Sequence, residues 1–556
     1  MRRNLNKLAN TTYDLLIIGG GITGACAAWD ASLRGLSVAL VDKGDFGAAT
    51  SAASGKIIHG GLRYMQYGAI HRIRESLHER MVFQRIAPHF VHPIPFLIPT
   101  YGHLLKGREI LTLGMTLYDL LGLDKNNSKA PEKTIPRHRV FSRNEVLELF
   151  PDIDRVGITG GILYYDCQMH NPERLTLSFL LTANKAGTDL ANYVKVKGFH
   201  KKDNRVTGVK AEDSLTGEEF DIQARVVLNA SGPWMHSLLG PLKRVESCVN
   251  LRFSKGIHII TRSLTKNCAL ALATKHSHAD ALVNRGGRHF FIIPWRNHSL
   301  IGTTNVPFEG RPDDKKVTER DILGLLQEIN AAYPAASLKR QDVAFFYGGL
   351  YPDDIKRSVG DGYQGARKDQ IVDHSTNEGI DGLISALSVK YTTARKLAQR
   401  TINLVFRKLG YKPPECLTEK TPIHGGKIER FNDFLFAETE RNASRLEKDI
   451  THNLIYNYGT AYTNVLGHAD ENPDWCETVH AKLPIIKAQV IHAVREEMAQ
   501  KLTDVVFRRT GLGTVGDPGE AALQACASTM SDELGWDAQR IQRELMEIRE
   551  FFSPVP

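Results

Sequence analysis

A cluster of glycines directly behind a short apolar run constrains this chain more than any other feature. Residues 13–18 read YDLLII, the unbroken apolar stretch of a strand buried on both faces. Gly19, Gly21 and Gly24 follow in the G-x-G-x-x-G spacing, with Ile22 and Thr23 inside it. From Ile22 to Arg34 small residues recur as in a closely packed helix, and Gly35 ends it. Residues 36–41, LSVALV, give a second buried strand that ends at Asp42. This is one βαβ unit with the dinucleotide fingerprint. The first glycine permits the tight turn, the second lets backbone approach a pyrophosphate, and the third lets helix pack on strand. The helix N-terminus offers amide N–H groups to phosphate, and the Asp42 carboxylate can accept ribose hydroxyls.

The segments that come next favour FAD over NAD. Residues 49–56, ATSAASGK, are small and rich in hydroxyls, so Thr50, Ser51, Ser54 and Lys56, with Lys43 just before them, are candidate cofactor contacts. Such a segment can donate to a pyrophosphate and approach an isoalloxazine closely. A later strand, 224–230, runs into NASGPW at 229–234, where Ala230, Gly232 and Trp234 suit a second approach to the same cofactor. A tight strand-to-helix turn would also account for that second segment.

With 556 residues, two or three domains are expected. Residues 204–210 read as a hairpin strand, and 289–295 and 300–304 as paired strands of a substrate-side sheet. Proline, glycine and charge accumulate between 410 and 430, as in a linker, and helices are expected from there to the end. The seven cysteines are scattered without C-x-x-C or Cys/His clusters, so neither a disulfide framework nor a metal site is expected, and a reducing compartment fits. The N-terminus lacks the apolar core of a signal peptide, and no run is long enough for a spanning helix. The expected place is cytoplasmic, or peripheral on the inner face of the membrane. The formal charge of +9 is dispersed, with no nucleic-acid motif beside it, which favours a solvated basic surface, then a membrane surface, over nucleic acid.

Residues 49–64, ATSAASGKIIHGGLRY, strongly resemble the signature of the FAD-dependent glycerol-3-phosphate dehydrogenases. Further matching segments are Tyr165-Asp166-Cys167 with Arg174-Leu175, residues 254–258 (SKGIH), 293–295 (IPW) and 301–304 (IGTT). Residues 390–398, KYTTARKLA, resemble the family's C-terminal flavin segment. The resemblance covers nearly the whole chain. It implies an α/β fold: a Rossmann-type FAD-binding part, a mixed-sheet substrate part and a C-terminal helical domain from about residue 416. The body at 1–415 is then discontinuous, with FAD-binding pieces near 12–90, 150–250 and 340–410 and substrate pieces near 91–149 and 251–339. By matching positions, His59, Gly60, Gly61, Val389 and Thr392 join the FAD contacts. Arg63 and Tyr64 would lie at the substrate phosphate, His258 over the reacting carbon, and Lys390 near the flavin and the substrate oxygen. The implied reaction oxidises a secondary alcohol beside a phosphate and passes electrons to a quinone at a membrane surface.

Two departures bear on the substrate. Where the family has glycine–valine–arginine–proline, this chain reads Gly349-Leu350-Tyr351-Pro352, so Tyr351 replaces a cation. Where the family has Gly-Gly before the lysine, this chain has Ser388-Val389. The expected substrate is glycerol 3-phosphate or another phosphorylated or anionic polyol. A flavin oxidase that makes peroxide, and a flavin-binding homologue without activity, are the rival readings; the HGGLRY segment argues against an amine-oxidising enzyme. For membrane contact the candidates are Phe96-Leu97-Ile98-Pro99 and residues 104–123, the latter read more readily as a core-packing helix. Arg508-Arg509 in the last helices are candidates for binding or for contacts in a homodimer.

Overall fold

The computed structural model describes residues 1–103, 107–124, 130–242, 252–273, 289–353 and 369–555. The apolar run at the N-terminus forms the strand Thr12–Ile18, whose burial on both faces reflects its place at the centre of a largely parallel sheet. It pairs in parallel with Val38–Val41 on one side and Glu219–Asn229 on the other. Asp189–Ala191 extends the sheet beyond Val38–Val41, and Leu383–Leu387 beyond Glu219–Asn229, both in parallel. The helix Ile22–Leu33 packs on one face between Pro172–Lys185 and Ala394–Lys408. Its alanines allow that close approach, and Trp29 fills the centre of the cluster against Phe179. The expected strand at 204–210 forms as Arg205–Asp213, antiparallel to Val194–Lys202.

The second large sheet carries the substrate side. Its strand order runs Val306–Phe308, Arg252–Arg262, His298–Gly302, His289–Trp295, Ala269–Ala273, Val91–Tyr101, Ile158–Met169 and Ile57–Ile58. The expected pair at 289–295 and 300–304 forms as antiparallel His289–Trp295 and His298–Gly302. Three strands differ from the expected division of the body, the short Ile57–Ile58 among them. Val343–Asp353, expected on the FAD-binding side, pairs antiparallel along nearly the whole of Arg252–Arg262. Ile158–Met169, also expected there, pairs antiparallel with Val91–Tyr101. Sheet partners are chosen by long-range packing, which local pattern does not encode.

The segment 411–430 has neither helix nor strand and lies against the body, with Ile423 buried in the core of the FAD-binding part. Beyond it the chain is helical as expected, except for a small hairpin of Thr478–His480 and Leu483–Ile486. Arg508 and Arg509 are not at a surface. Both are buried and reach back across the domain boundary to Asp45, in the turn that follows the second Rossmann strand. Buried guanidinium groups need carboxylate partners, and Asp45 provides one for both.

The two membrane candidates separate. Phe96 and Leu97 are buried in the strand Val91–Tyr101, so that segment is core. Residues 104–106 lie outside the described residues, but the remainder of the second candidate forms the helix Arg108–Leu121. Met115 and Tyr118 turn inward, while Leu113, Leu117, Leu120 and Leu123 are 66%, 40%, 56% and 68% exposed. Among the described residues no helix is long and apolar enough to cross a membrane.

Candidate active site

A cavity of about 1370 Å³ lies between the two sheets, larger than the ~300–1,000 Å³ of a drug-sized ligand site. The glycine turn forms one end. A Cβ on Gly19, where φ is +108°, would lie 2.6 Å from the Ala230 carbonyl oxygen, and one on Gly24 would lie 1.9 Å from the oxygen of Gly19. Those two glycines serve the protein's own packing, and Gly24 accordingly does not line the cavity. Gly21 differs: a Cβ there would meet only Ser51 Oγ at 3.2 Å, so its open side faces the cavity. No side chain caps the helix that starts at Ile22, although the Ile22 amide donates to Ser51 Oγ at 2.9 Å. Ile22 and Thr23 line the cavity at this uncapped positive end, which fits a cofactor pyrophosphate.

Asp42 holds the turn together. Its two oxygens accept from the Gly20 and Gly44 amides at 2.6 and 2.9 Å, and burial pushes its carboxyl up to about 6. It still lines the cavity, and a carboxylate has lone pairs left for a ribose. Beside it, Lys43 sits 4.1 Å from the centre of the Trp234 ring, and both donate to Asp313 Oδ1, at 2.5 and 2.8 Å. Ala230 and Gly232 complete this wall.

The hydroxyl-rich segment lines the cavity with Thr50, Ser51 and Ser54. Part of its hydrogen-bonding capacity is used internally: Thr50 Oγ1 donates to the Leu350 carbonyl at 2.8 Å, and the Ser54 carbonyl accepts from Tyr347 at 2.8 Å. Lys56 does not line the cavity. It points into the body and pairs with Glu173 at 2.8 Å, because a fully buried ammonium requires a counter-charge. Gly60 and Thr392 are likewise behind the wall. The Gly60 amide donates to Asp166, and a Cβ there would lie 1.8 Å from Tyr118 Oη. Thr392 Oγ1 accepts from the His59 amide at 3.2 Å. His59, Gly61 and Val389 do line the cavity, and burial pushes the His59 imidazole down to about 3.

Arg63, Tyr64, His258, Tyr351 and Lys390 line the same cavity. Arg63 and Tyr64 sit on the 3-10 turn Leu62–Tyr67, which starts at the left-handed Gly61. Lys390 lies 4.4 Å from the centre of the Tyr64 ring and donates to Ser76 Oγ at 3.1 Å. Burial pushes its ammonium down to about 8. Its position is set by the Ser388-Val389 turn, where the Val389 amide donates to Asp369 at 2.9 Å. His258, on Arg252–Arg262, stacks on Tyr347 at 5.2 Å and has no hydrogen-bond partner for its buried Nδ1. Burial, and then the charge on Lys56, pushes this imidazole down to about 3. Tyr351 lies across the sheet from Ser254 and donates through its hydroxyl to Asn305 Oδ1.

Among the lining residues not anticipated from sequence are Asp313 and Arg72. Asp313 carries no local signal, because it arrives on a loop of the other sheet. Arg72 carried one: on the helix Ile70–Ile86, Arg72, Ser76, Glu79 and Arg80 recur at helical spacing and form a buried polar face.

Residues 14–386 match the FAD dependent oxidoreductase family, and residues 416–541 match the C-terminal domain of alpha-glycerophosphate oxidase. Over 99% of its length the chain is 35% identical to a glycerol-3-phosphate dehydrogenase of Synechocystis sp., 98% of which is covered. It is 30% identical to an aerobic glycerol-3-phosphate dehydrogenase of Staphylococcus epidermidis, over 91% of this chain and 88% of that one. Its fold also matches the X-ray structure of the glycerol-3-phosphate dehydrogenase from Bacillus halodurans complexed with FAD. That match has a TM-score of 0.77 at 26% identity and covers 98% of this chain and 96% of the other. The chain therefore belongs to the FAD-dependent glycerol-3-phosphate dehydrogenase family, with an FAD-dependent oxidoreductase body and a helical C-terminal domain of the alpha-glycerophosphate oxidase type.

Proposed function

We propose that this enzyme oxidises the secondary alcohol of glycerol 3-phosphate, or of a closely related phosphorylated polyol, to the ketone and passes the electrons to a membrane quinone. The observation that carries the reading is the meeting, in one cavity with the dinucleotide turn, of a cationic end (Arg63 and Lys390) and a buried neutral imidazole, His258.

Bound FAD supplies a two-electron acceptor. The glycine turn and the uncapped helix end would hold its pyrophosphate, Asp42 its ribose, and the walls around Thr50, Ser51, Val389 and Gly61 would exclude water from the ring system. Arg63 and Lys390 bind the anionic group of the substrate, with Tyr64 as the surface between phosphate and carbon chain. His258 takes the proton of the hydroxyl. With its imidazole pushed down to about 3 it is neutral at pH 7 and able to accept. An imidazole that burial keeps neutral can take the proton as the hydride leaves. The balance is closed: the carbinol carbon loses a hydride, its oxygen loses a proton to His258, and a C=O bond forms. Tyr351 contributes a hydroxyl to the wall rather than a charge.

The acceptor is read from the helix Arg108–Leu121. Its exposed leucines form one stripe at helical spacing, and Arg74 donates to the Leu121 carbonyl at its end. Arg74 also pairs with Asp124, so the stripe itself carries the reading: an exposed apolar stripe suits a lipid surface, where a quinone would be met.

Anaerobic titration of the holoenzyme is the test. Glycerol 3-phosphate is expected to bleach the flavin band stoichiometrically. Bleaching by another polyol phosphate alone would move the substrate within the class, and an unbleached band with every polyol phosphate would overturn the reading. Peroxide formation in air, faster than reduction of a water-soluble quinone, would replace the quinone by oxygen as acceptor.

A further inference from the structure

Among the described residues, arginines less than 10% exposed have carboxylate partners, with one exception. Arg34 pairs with Asp30, Arg80 with Asp166, Arg174 with Glu497, Arg395 with Glu79, and Arg508 and Arg509 with Asp45. Arg72 is only 8% exposed, yet its guanidinium makes no hydrogen bond and no ion pair with any described residue. The guanidinium lies over the ring of Tyr64, whose centre is 5.6 Å from the guanidinium carbon. That same ring has the Lys390 ammonium 4.4 Å from its centre, and both Arg72 and Lys390 line the cavity.

A desolvated guanidinium without a counter-ion is costly, and a second cation on the same ring adds repulsion. An arrangement of this kind becomes favourable when an anion enters. The ring gives both cations a negative face, which orients them while the cavity is empty of anion. The planar fork of arginine adds what a lysine lacks, two parallel N–H donors matched to two oxygens of one phosphate. At position 351, where the family resemblance leads one to expect an arginine, this chain has a neutral phenol tied to Asn305. The cavity therefore lacks that charge and holds one on the helix Ile70–Ile86 instead.

We propose that Arg72 is a substrate-binding residue: with Lys390, across the Tyr64 ring, it joins Arg63 in holding the phosphate of a phosphomonoester, supplying the charge that Tyr351 does not. The proposal rests on the polyol-phosphate reading above and sharpens it. A phosphomonoester carries about −1.5 to −2 charges at neutral pH and three terminal oxygens, which calls for more than one cation. A carboxylate carries one charge and is adequately held by one. The substrate is accordingly a phosphorylated polyol rather than a sugar acid.

Calorimetric titration of the FAD-loaded enzyme with glycerol 3-phosphate, inorganic phosphate and glycerate tests this without relying on turnover. Wild type is expected to bind glycerol 3-phosphate and phosphate more tightly than glycerate. Arg72→Met is expected to weaken both phosphate ligands at least tenfold while glycerate changes less than threefold. Arg72→Lys, which keeps the charge but loses the fork, is expected to fall between. If Arg72→Met fails to retain FAD, Arg72→Lys alone decides, through a threefold or greater loss confined to the phosphate ligands. Wild-type affinity in whichever variant retains FAD overturns the assignment and leaves the substrate reading standing. A wild-type enzyme that binds neither phosphate ligand overturns both.

Discussion

Lys390 and His258 are both buried, and burial moves both away from the charged form, but the consequences differ because their ordinary values differ. His258, at about 3, is neutral across the working range. Lys390, at about 8, is charged below that pH and neutral above it. An anionic substrate needs the ammonium, and its phosphate is a dianion only above about pH 6. The kcat/KM for a polyol phosphate is therefore expected to peak between about pH 6 and 8 and to fall roughly tenfold per unit beyond it. The profile of kcat/KM against pH checks this, since it reports the free enzyme. Lys390→Arg, permanently charged, is expected to remove the alkaline limb; an unaltered limb would remove Lys390 from substrate binding. His258→Ala should lower kcat by about 10²–10⁴-fold with FAD content intact, the usual range for a lost proton acceptor. Stopped-flow reduction of the flavin separates that loss from slow reoxidation. At this scale the sequence motifs identified the segments that meet, not which way each side chain points. Lys56 and Thr392 lie within matched segments and yet turn into the body, Lys56 because Glu173 is there to neutralise it. Arg72 shows the converse. Its helical spacing from Ser76 was visible, but the burial that makes an unpaired guanidinium informative is a tertiary property.

At the scale of elements, local pattern is a good guide wherever a segment's burial is uniform. The run 13–18 is apolar throughout because the strand Thr12–Ile18 has neighbours on both sides. The glycine spacing was legible for the same local reason: Gly19 and Gly24 stand where any Cβ would strike backbone. Pairing is where local pattern stops. Val343–Asp353 joins a partner strand some ninety residues earlier in the chain, and no periodicity in either strand encodes the other. The helix Arg108–Leu121 is an intermediate case, since its pattern allowed both a core and a surface helix, and the fold uses it as both. Its outward leucines supply a prediction. Each leucine carried into lipid contributes up to about 1.5–3 kcal/mol, so Leu117→Glu combined with Leu120→Glu is expected to weaken vesicle binding at least tenfold. Both sites are exposed, and folding stability should change by no more than about 0.5 kcal/mol per site. Co-sedimentation with vesicles containing phosphatidylserine measures the first quantity and thermal unfolding the second. A doubly substituted protein that still sediments like wild type would move the membrane contact away from this helix.

At the scale of the whole molecule, the question is why an FAD-binding body carries a helical domain whose residues do not line the cavity. Asp45 gives a physical answer. It lines the cavity next to the Asp42 turn, and its carboxylate takes Arg509 in two parallel bonds of 2.8 Å and Arg508 in one of 2.5 Å. Burial alone would push Asp45 up, but the guanidinium groups of Arg509 and Arg508 together hold its carboxyl below the usual carboxylate range. The same helical domain binds the neighbouring turn a second time, because Asp504 accepts from the Tyr193 hydroxyl at 2.6 Å, and the Tyr193 amide donates to Gly44. The turn at 42–45 is thus clamped from outside its own sheet, and it is the turn whose shape sets where Asp42 can meet a ribose. Removing one side of a buried pair leaves the other charge unpaired, which costs about 3–5 kcal/mol. Asp45→Asn, which removes a shared counter-charge and leaves Arg508 to Asp504 and Arg509 to Glu497 at 3.9 Å, is therefore expected to unfold earlier and to lose FAD on gel filtration. Unfolding alone would not separate a clamp from a generic defect, so FAD affinity must be measured at a temperature where both proteins are folded. If the clamp acts on the cofactor site, affinity falls tenfold or more there while KM for the polyol phosphate in FAD-saturated enzyme stays within threefold, since Arg63 and Lys390 belong to other segments of the wall. If instead FAD affinity is unchanged at that temperature, Asp45 joins the two domains without shaping the site, and the helical domain's contribution is to stability alone.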